Sequence, residues 1–288
     1  MASNAELAQI VGYKWLEDIR NGAIGKVSLV EKKKNNPDEK RVVMKRVSYQ
    51  FDYLNEYNHH KKLSDGEGTP GSEYIIKMFE MQIVDENVLF FLEHAEKGDL
   101  ISVLRETTAS MAKDFFRQLV SGMEYIHSAG IVHRDIKPGN LFINSTYTLK
   151  IGDFGMAEIY RESDGEELPV RRGRGTTGYI APECFQYQVA IKGPPIDIWA
   201  AGIVLVNMLS KKQIWKDAKV SCPEFVKFKN KLYDDMILDW STIGGAIGLL
   251  RKMLKIDPNQ RATIEEIKSD RWFFSDADEE EENGKDED

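Results

Sequence analysis

The chain has 288 residues, of which 42% are hydrophobic, enough apolar material to bury a large core in two lobes. Its formal charge is −8, and residues 276–288 carry nine acids and one lysine, also −8, so the remainder balances at zero. That balance excludes a general basic surface for direct nucleic acid binding. Two cysteines, Cys184 and Cys222, are too few for a disulfide framework and point to a reducing compartment, nucleus or cytoplasm. The five histidines show no zinc spacing, and the apolar run from Trp199 to Val206 is short of a membrane span, so no membrane partner is expected.

In chain order, residues 1–12 read as an N-terminal extension. Asn21 to Val27 then forms a glycine-containing turn between strands, where absent side chains let backbone amides approach an anion. Arg20 stands where a third glycine would precede Gly22 and Gly25, and taken alone the turn is equally an ordinary hairpin. Val42-Val43-Met44-Lys45 is an apolar strand ending in a lysine, and a lysine there needs an anionic partner. Glu56, on a helix expected over about residues 51–63, is the candidate, with Asp52 as competitor. Three glycines and a proline between Ser64 and Ser72 mark a flexible loop.

Val88 to Leu92 reads as a strand and Glu93 to Gly98 as a connecting hinge. Asp99 either caps a helix beginning near Leu100 or accepts a hydrogen bond from a ligand. Phe116, Leu119, Met123 and Ile126 recur at helical spacing up to Gly130. Asp197 to Leu209 is apolar nearly all round, so it predicts a helix at the centre of the larger lobe. Asp197 at its start needs hydrogen bonds, and the backbone amides of the loop around residue 134 are the expected donors. Glu183 and Arg261 could form a buried ion pair. Residues 276–288 have no apolar side chain larger than alanine and read as a disordered acidic tail, a possible handle for a basic partner.

The chemistry concentrates in His133-Arg134-Asp135-Ile136-Lys137-Pro138-Gly139-Asn140 and in Asp153-Phe154-Gly155, thirteen residues beyond Asn140. Phosphoryl transfer requires that donor and acceptor be held in line and that charge on the transferring group be neutralised. Asp135 could orient an acceptor hydroxyl and take its proton, with Lys137 as the cation beside the moving phosphate. Asn140 and Asp153 supply the hard oxygens Mg²⁺ prefers, with phosphate and water completing its shell.

With Ala181-Pro182-Glu183 downstream, these segments resemble the signature set of eukaryotic protein kinases from about Tyr13 to Ser275. Within that family the chain is similar to the DNA-damage checkpoint kinases, on Phe90-Phe91-Leu92-Glu93, on Gly175-Thr176 before Tyr179-Ile180-Ala181, and on Asp270-Arg271-Trp272-Phe273. The resemblance implies an α+β, two-lobed fold: a small, mainly β lobe over about 13–92, a hinge at 93–98 and a larger, mainly α lobe over 99–275. It implies ATP and Mg²⁺ as cofactors, serine or threonine on protein substrates as acceptor, and a role in cell-cycle arrest. ATP would be held by Gly22, Gly25, Val27, Lys45, Glu56, Leu92, the backbone of Glu93 and Ala95, and Asp99. Arg134, Thr176, Glu183, Asp197 and Arg261 would have structural or regulatory roles, Thr176 bonding Asp135 and Lys137.

Three departures qualify these expectations. Gly139 replaces the second of two acids that grip an arginine upstream of the acceptor in basophilic kinases, so an arginine preference does not follow from Asp99 alone. No Ser-Gln or Thr-Gln pair occurs, so activation at such sites is not expected. Between Met156 and Gly175 the only hydroxyl side chains are Tyr160 and Ser163, while Asp164, Glu166 and Glu167 lie near Arg171, Arg172 and Arg174. These acids are expected to order the segment without phosphorylation, by pairing with Arg134 or the arginine cluster. The rival reading from another class is a non-catalytic scaffold that kept the fold for binding.

Overall fold

The structure is a computed structural model and describes residues 2–21, 25–32, 41–49, 52–187, 190–231 and 243–275. Gly22 and the acidic tail, on which two expectations rest, lie outside the described residues.

Alternating apolar residues build an antiparallel five-stranded sheet from β1 (Tyr13–Asn21), β2 (Gly25–Lys32), β3 (Arg41–Ser48), β4 (Met78–Val84) and β5 (Asn87–Glu93), ordered β1-β2-β3-β5-β4. Val27 sits opposite Lys45, and Lys45 opposite Phe90, so the lysine lies in the middle of the sheet. One face packs Val30, Val42, Met44, Leu89 and Phe91 against Leu7 and Ala8 of helix α1 (Asn4–Ile10). The other face packs Val47, Met78, Val88 and Phe90 against Tyr53 and Tyr57 of helix α2 (Tyr53–Ser64). The helix expected over residues 51–63 is thus present, shifted slightly toward the C-terminus. The N-terminal extension proves to be a packed helix with a capping box between Ser3 and Glu6.

The segment 64–72, expected as a flexible loop, is docked instead. A Cβ on Gly66 would fall 1.9 Å from the Tyr125 hydroxyl and one on Gly71 2.5 Å from the Ser121 carbonyl, so both glycines permit contact with the larger lobe. The Tyr125 hydroxyl donates to the Leu63 carbonyl at 2.7 Å, tying the end of α2 to the same place.

The larger lobe is built on α4 (Ala109–Ser128) and α5 (Gly193–Ser210), after the short α3 (Leu100–Val103). Thr108 caps α4, and Gly130 at φ 77° turns the chain away beyond its end. Pro194 and Pro195 occupy the first turn of α5, where a missing amide costs nothing. By length and composition α5 could cross a membrane, yet 78% of it is buried within the lobe around Trp199. Short strands β6 (Ile131–Val132) and β9 (Glu158–Ile159) pair across the segment that follows Asp153, and β7 (Leu141–Ile143) pairs with β8 (Leu149–Ile151). Cys184 and Cys222 are both buried as free thiols. The fold is the expected α+β arrangement of a mainly β lobe and a mainly α lobe.

Candidate active site

Lys45 on β3 is the first group the fold delivers to the cleft between the lobes. Its Nζ lies 2.5 Å from Glu56 Oε1 on α2 and 2.8 Å from Asp153 Oδ1. Glu56 is therefore the partner, and Asp52 sits at the N-cap of α2 without capping it. Burial disfavours the Lys45 ammonium, but the two carboxylates outweigh it and hold its pKa above the ordinary lysine value. Lys45 also draws the Asp153 carboxyl well below the usual range. Glu56, the more deeply desolvated acid, is pushed up by burial, with the Asp153 charge adding to that push.

Around this pair Val27 and Leu92 are half-buried on β2 and β5. Gly25 begins β2, and a Cβ there would lie 2.4 Å from the Arg46 carbonyl, so its glycine is required by strand pairing itself. In the hinge the Ala95 carbonyl accepts from the Gly98 amide at 3.0 Å. Glu93 places its amide on the Lys77 carbonyl at 2.8 Å and its carboxylate on Lys150 at 3.1 Å, so both groups serve the scaffold. Asp99 is the cap of α3, accepting from the Ser102 amide at 3.0 Å and hydroxyl at 2.8 Å. Of its two readings the structure shows the cap.

Across the cleft two side chains and a backbone amide converge on the Asp135 carboxylate. Its Oδ2 accepts from Lys137 Nζ at 2.7 Å and Asn140 Nδ2 at 3.0 Å, and its Oδ1 from the Thr176 amide at 2.7 Å. Lys137 Nζ also donates to the Thr176 hydroxyl at 2.5 Å. With Nδ2 of Asn140 committed to Asp135, its Oδ1 is the acceptor left for a cation. Asp153, at φ 61° in the left-handed region, keeps its side chain 44% exposed to the cleft. Among the described residues no cluster of three or more His, Cys, Asp or Glu side chains could cage a metal. The exposed Asp153 carboxylate and the Oδ1 of the buried Asn140 are hard oxygen donors of the kind that fit a divalent cation completed by phosphate and water.

Buried charges hold this loop in place. Asp197 on α5 accepts from the amides of His133 and Arg134, both at 2.8 Å, and from His127 Nε2 at 2.9 Å. Desolvation opposes its ionised form, but these donors prevail and its pKa is lowered. His133 Nε2 must donate to the Gly152 carbonyl, so Nδ1 is the acceptor for the Asp135 amide, which fixes a neutral tautomer. Glu183 and Arg261 form the expected buried pair, bidentate at 2.7 and 3.0 Å.

One expectation needs correction. Arg134 does not pair with Asp164, Glu166 or Glu167; its guanidinium binds Glu158 on β9 and the Arg171 carbonyl. Arg171 Nε joins the same carboxylate at 3.1 Å. Asp164 turns back on its own hairpin, accepting from the Glu166 amide at 3.0 Å. Glu158 wins because pairing of β9 with Ile131–Val132 sets it beside Arg134. Phosphatase treatment should leave the rate unchanged, whereas Glu158→Gln should lower kcat about tenfold, equivalent to ~1.4 kcal/mol, in steady-state assays of both samples.

His60 was also missed by sequence. One turn beyond Glu56, its ring lies 4.7 Å from Phe154, which is 4.9 Å from His133, and its Nε2 donates to the Ile76 carbonyl at 2.7 Å. Burial pushes its pKa down from 6.5 to about 4. The folded state thus refuses a proton the unfolded chain accepts, so stability is undiminished above pH 6.5 and erodes toward pH 4. The loss should reach roughly 3 kcal/mol, and His60→Leu should flatten that part of the curve in urea unfolding across this range.

A family model of the protein kinase domain matches residues 13–273. The chain belongs to the protein kinase family, whose members use ATP with a divalent metal. Within it the chain is similar to the serine/threonine-protein kinase chk-1 of Caenorhabditis elegans, 33% identical over 269 residues, covering 91% of this chain and 52% of the relative. The serine/threonine-protein kinase grp of Drosophila melanogaster is 30% identical over 280 residues, 91% of this chain and 51% of the relative. The carbon catabolite-derepressing protein kinase of Saccharomyces cerevisiae is 30% identical over 285 residues, 94% and 42%. The chain spans about half the length of the curated relatives it matches, or less.

Proposed function

We propose that the chain transfers the γ-phosphoryl group of Mg²⁺-bound ATP to serine or threonine hydroxyls of protein substrates, through a catalytic unit at about 13–275. The observation that carries this reading is Lys45 bound at once to Glu56 and Asp153, the ion pair that a competent kinase cleft needs to position the nucleotide phosphates. The metal, when bound, neutralises charge on the phosphates, and Asn140 and Asp153 would hold it. Asp135 accepts the hydrogen bond of the acceptor hydroxyl and then its proton. Lys137, already 2.7 Å from that carboxylate, offers its remaining donor to the transferring group. Thr176 and Asn140 keep the carboxylate aimed.

Resemblance to kinases named chk-1 and grp supports a checkpoint role; the compartment proposed is the nucleus or cytoplasm, in keeping with two cysteines held as free thiols. The test is phosphotransfer from γ-labelled ATP onto arrayed peptides bearing serine, threonine or tyrosine, with and without arginine upstream. Serine and threonine peptides should be labelled and tyrosine peptides not. A folded chain that labels none of them contradicts the proposal.

A further inference from the structure

Residues 2–8 precede the segment matched by the kinase family model, yet they are built into the small lobe. Leu7 and Ala8 are fully buried, and Asn4 is buried too. The Asn4 Nδ2 donates to Ser28 Oγ at 2.7 Å and to Asp18 Oδ1 at 3.3 Å. The Ser28 hydroxyl donates to the same Asp18 oxygen at 2.6 Å, and Trp15 Nε1 reaches it at 3.1 Å. On the neighbouring strand Arg46 Nη1 donates to the Ala2 carbonyl at 2.8 Å and Asn4 Oδ1 at 3.4 Å, and its Nε to Asn87 Oδ1 at 2.8 Å.

The placement of these contacts is what matters. Asp18 and Ser28 are register partners on β1 and β2, the strands that enter and leave residues 22–24. The ladder between them is irregular on both sides of Asp18, with register shifts at Trp15/Glu17 and Asp18/Arg20. Side-chain bonds therefore fix a stagger that regular pairing would otherwise set. Successive strand residues point to opposite faces, so Ser28 and Arg46 are the reverse sides of Val27 and Lys45. Lys45 faces Glu56 and Asp153, while Arg46 faces the N-terminal segment.

We propose that residues 2–8 are a clamp that positions the nucleotide-binding strands from behind, with Asn4 as its positioning residue. The inference rests on the kinase reading above and adds to it a determinant of ATP affinity. By holding β1 and β2 in one stagger, Asn4 sets where Gly25 and Val27, on the strand that carries Ser28, stand against the nucleotide. A cap that only stabilised the lobe would move the melting temperature and leave nucleotide affinity alone.

Asn4→Ala, Ser28→Ala and the double variant are compared with the wild type by steady-state kinetics, by binding of a fluorescent ATP analogue, and by melting temperature. Asn4→Ala should raise KM for ATP and weaken analogue binding about fivefold, with kcat at saturating ATP within about twofold and KM for peptide unchanged. Adding Ser28→Ala should have little further effect, because the two side chains act through one network. A lower melting temperature with unaltered KM and analogue binding overturns the clamp. A wild type that binds the analogue and transfers no phosphate contradicts the proposed function instead, and the binding ratio of variant to wild type still decides the clamp.

Discussion

Asp135→Asn should lower kcat by about 10²- to 10⁴-fold while the chain stays folded and binds nucleotide. The carboxylate accepts three side-chain or backbone donors within 3.0 Å, and an amide reproduces only part of that set. Its NH2 group, placed at Oδ2, would face the donors of Lys137 and Asn140; turned the other way, it would face the Thr176 amide. Both orientations also lack a group able to take the acceptor proton. Lys45, Glu56 and Asp153 do not touch Asp135, so nucleotide affinity should stay within a few-fold. Single-turnover rates and analogue binding measured on the same preparation check both halves, and a variant within threefold of wild-type kcat sinks the assignment.

Arg261→Ala should cost about 3–5 kcal/mol of stability, because it leaves a buried carboxylate unpaired. The Arg261 and Glu183 side chains are 0% and 4% exposed, so water cannot replace the lost partner. Arg261 also donates to the carbonyls of Pro195 and Lys255 and lies 5.1 Å from the Trp199 ring centroid, so its loss frees the start of α5 as well. Glu183 ends the segment that places Thr176 against Asp135, and kcat should fall with stability. Urea unfolding checks the first effect. The double variant Glu183→Leu/Arg261→Met should lose less than the two single changes combined, since no lone charge then remains inside.

Much of the site was legible because buried charge demands a partner. Lys45 in an apolar strand called for an acid, and Asp197 at the head of an apolar helix called for amide donors; each found the expected kind. Glu158 was not legible. Five acids lie within ten residues of one another there, and only a two-residue strand, too short for any periodicity, selects the one beside Arg134. The docked segment at 64–72 was hidden for a related reason: glycines announce a turn and say nothing of the tyrosine it leans on. Helix α1 has seven residues with two buried apolar side chains, Leu7 and Ala8, too few for a helical stripe. Asp99 satisfies both of its readings by composition, and only the bonds to Ser102 separate them.

The two buried thiols give the molecule a built-in reporter of its own opening. Burial, reinforced by the adjacent Glu183 carboxylate, pushes the Cys184 thiol up to about 12, so near neutrality almost none is in the reactive thiolate form. Cys222 is shielded inside the same lobe. Alkylating reagents should therefore meet an inert surface and mark only those molecules whose larger lobe has come apart. The pace of labelling in native buffer becomes a clock for that event, and nucleotide should slow it to the extent that it favours the closed lobe.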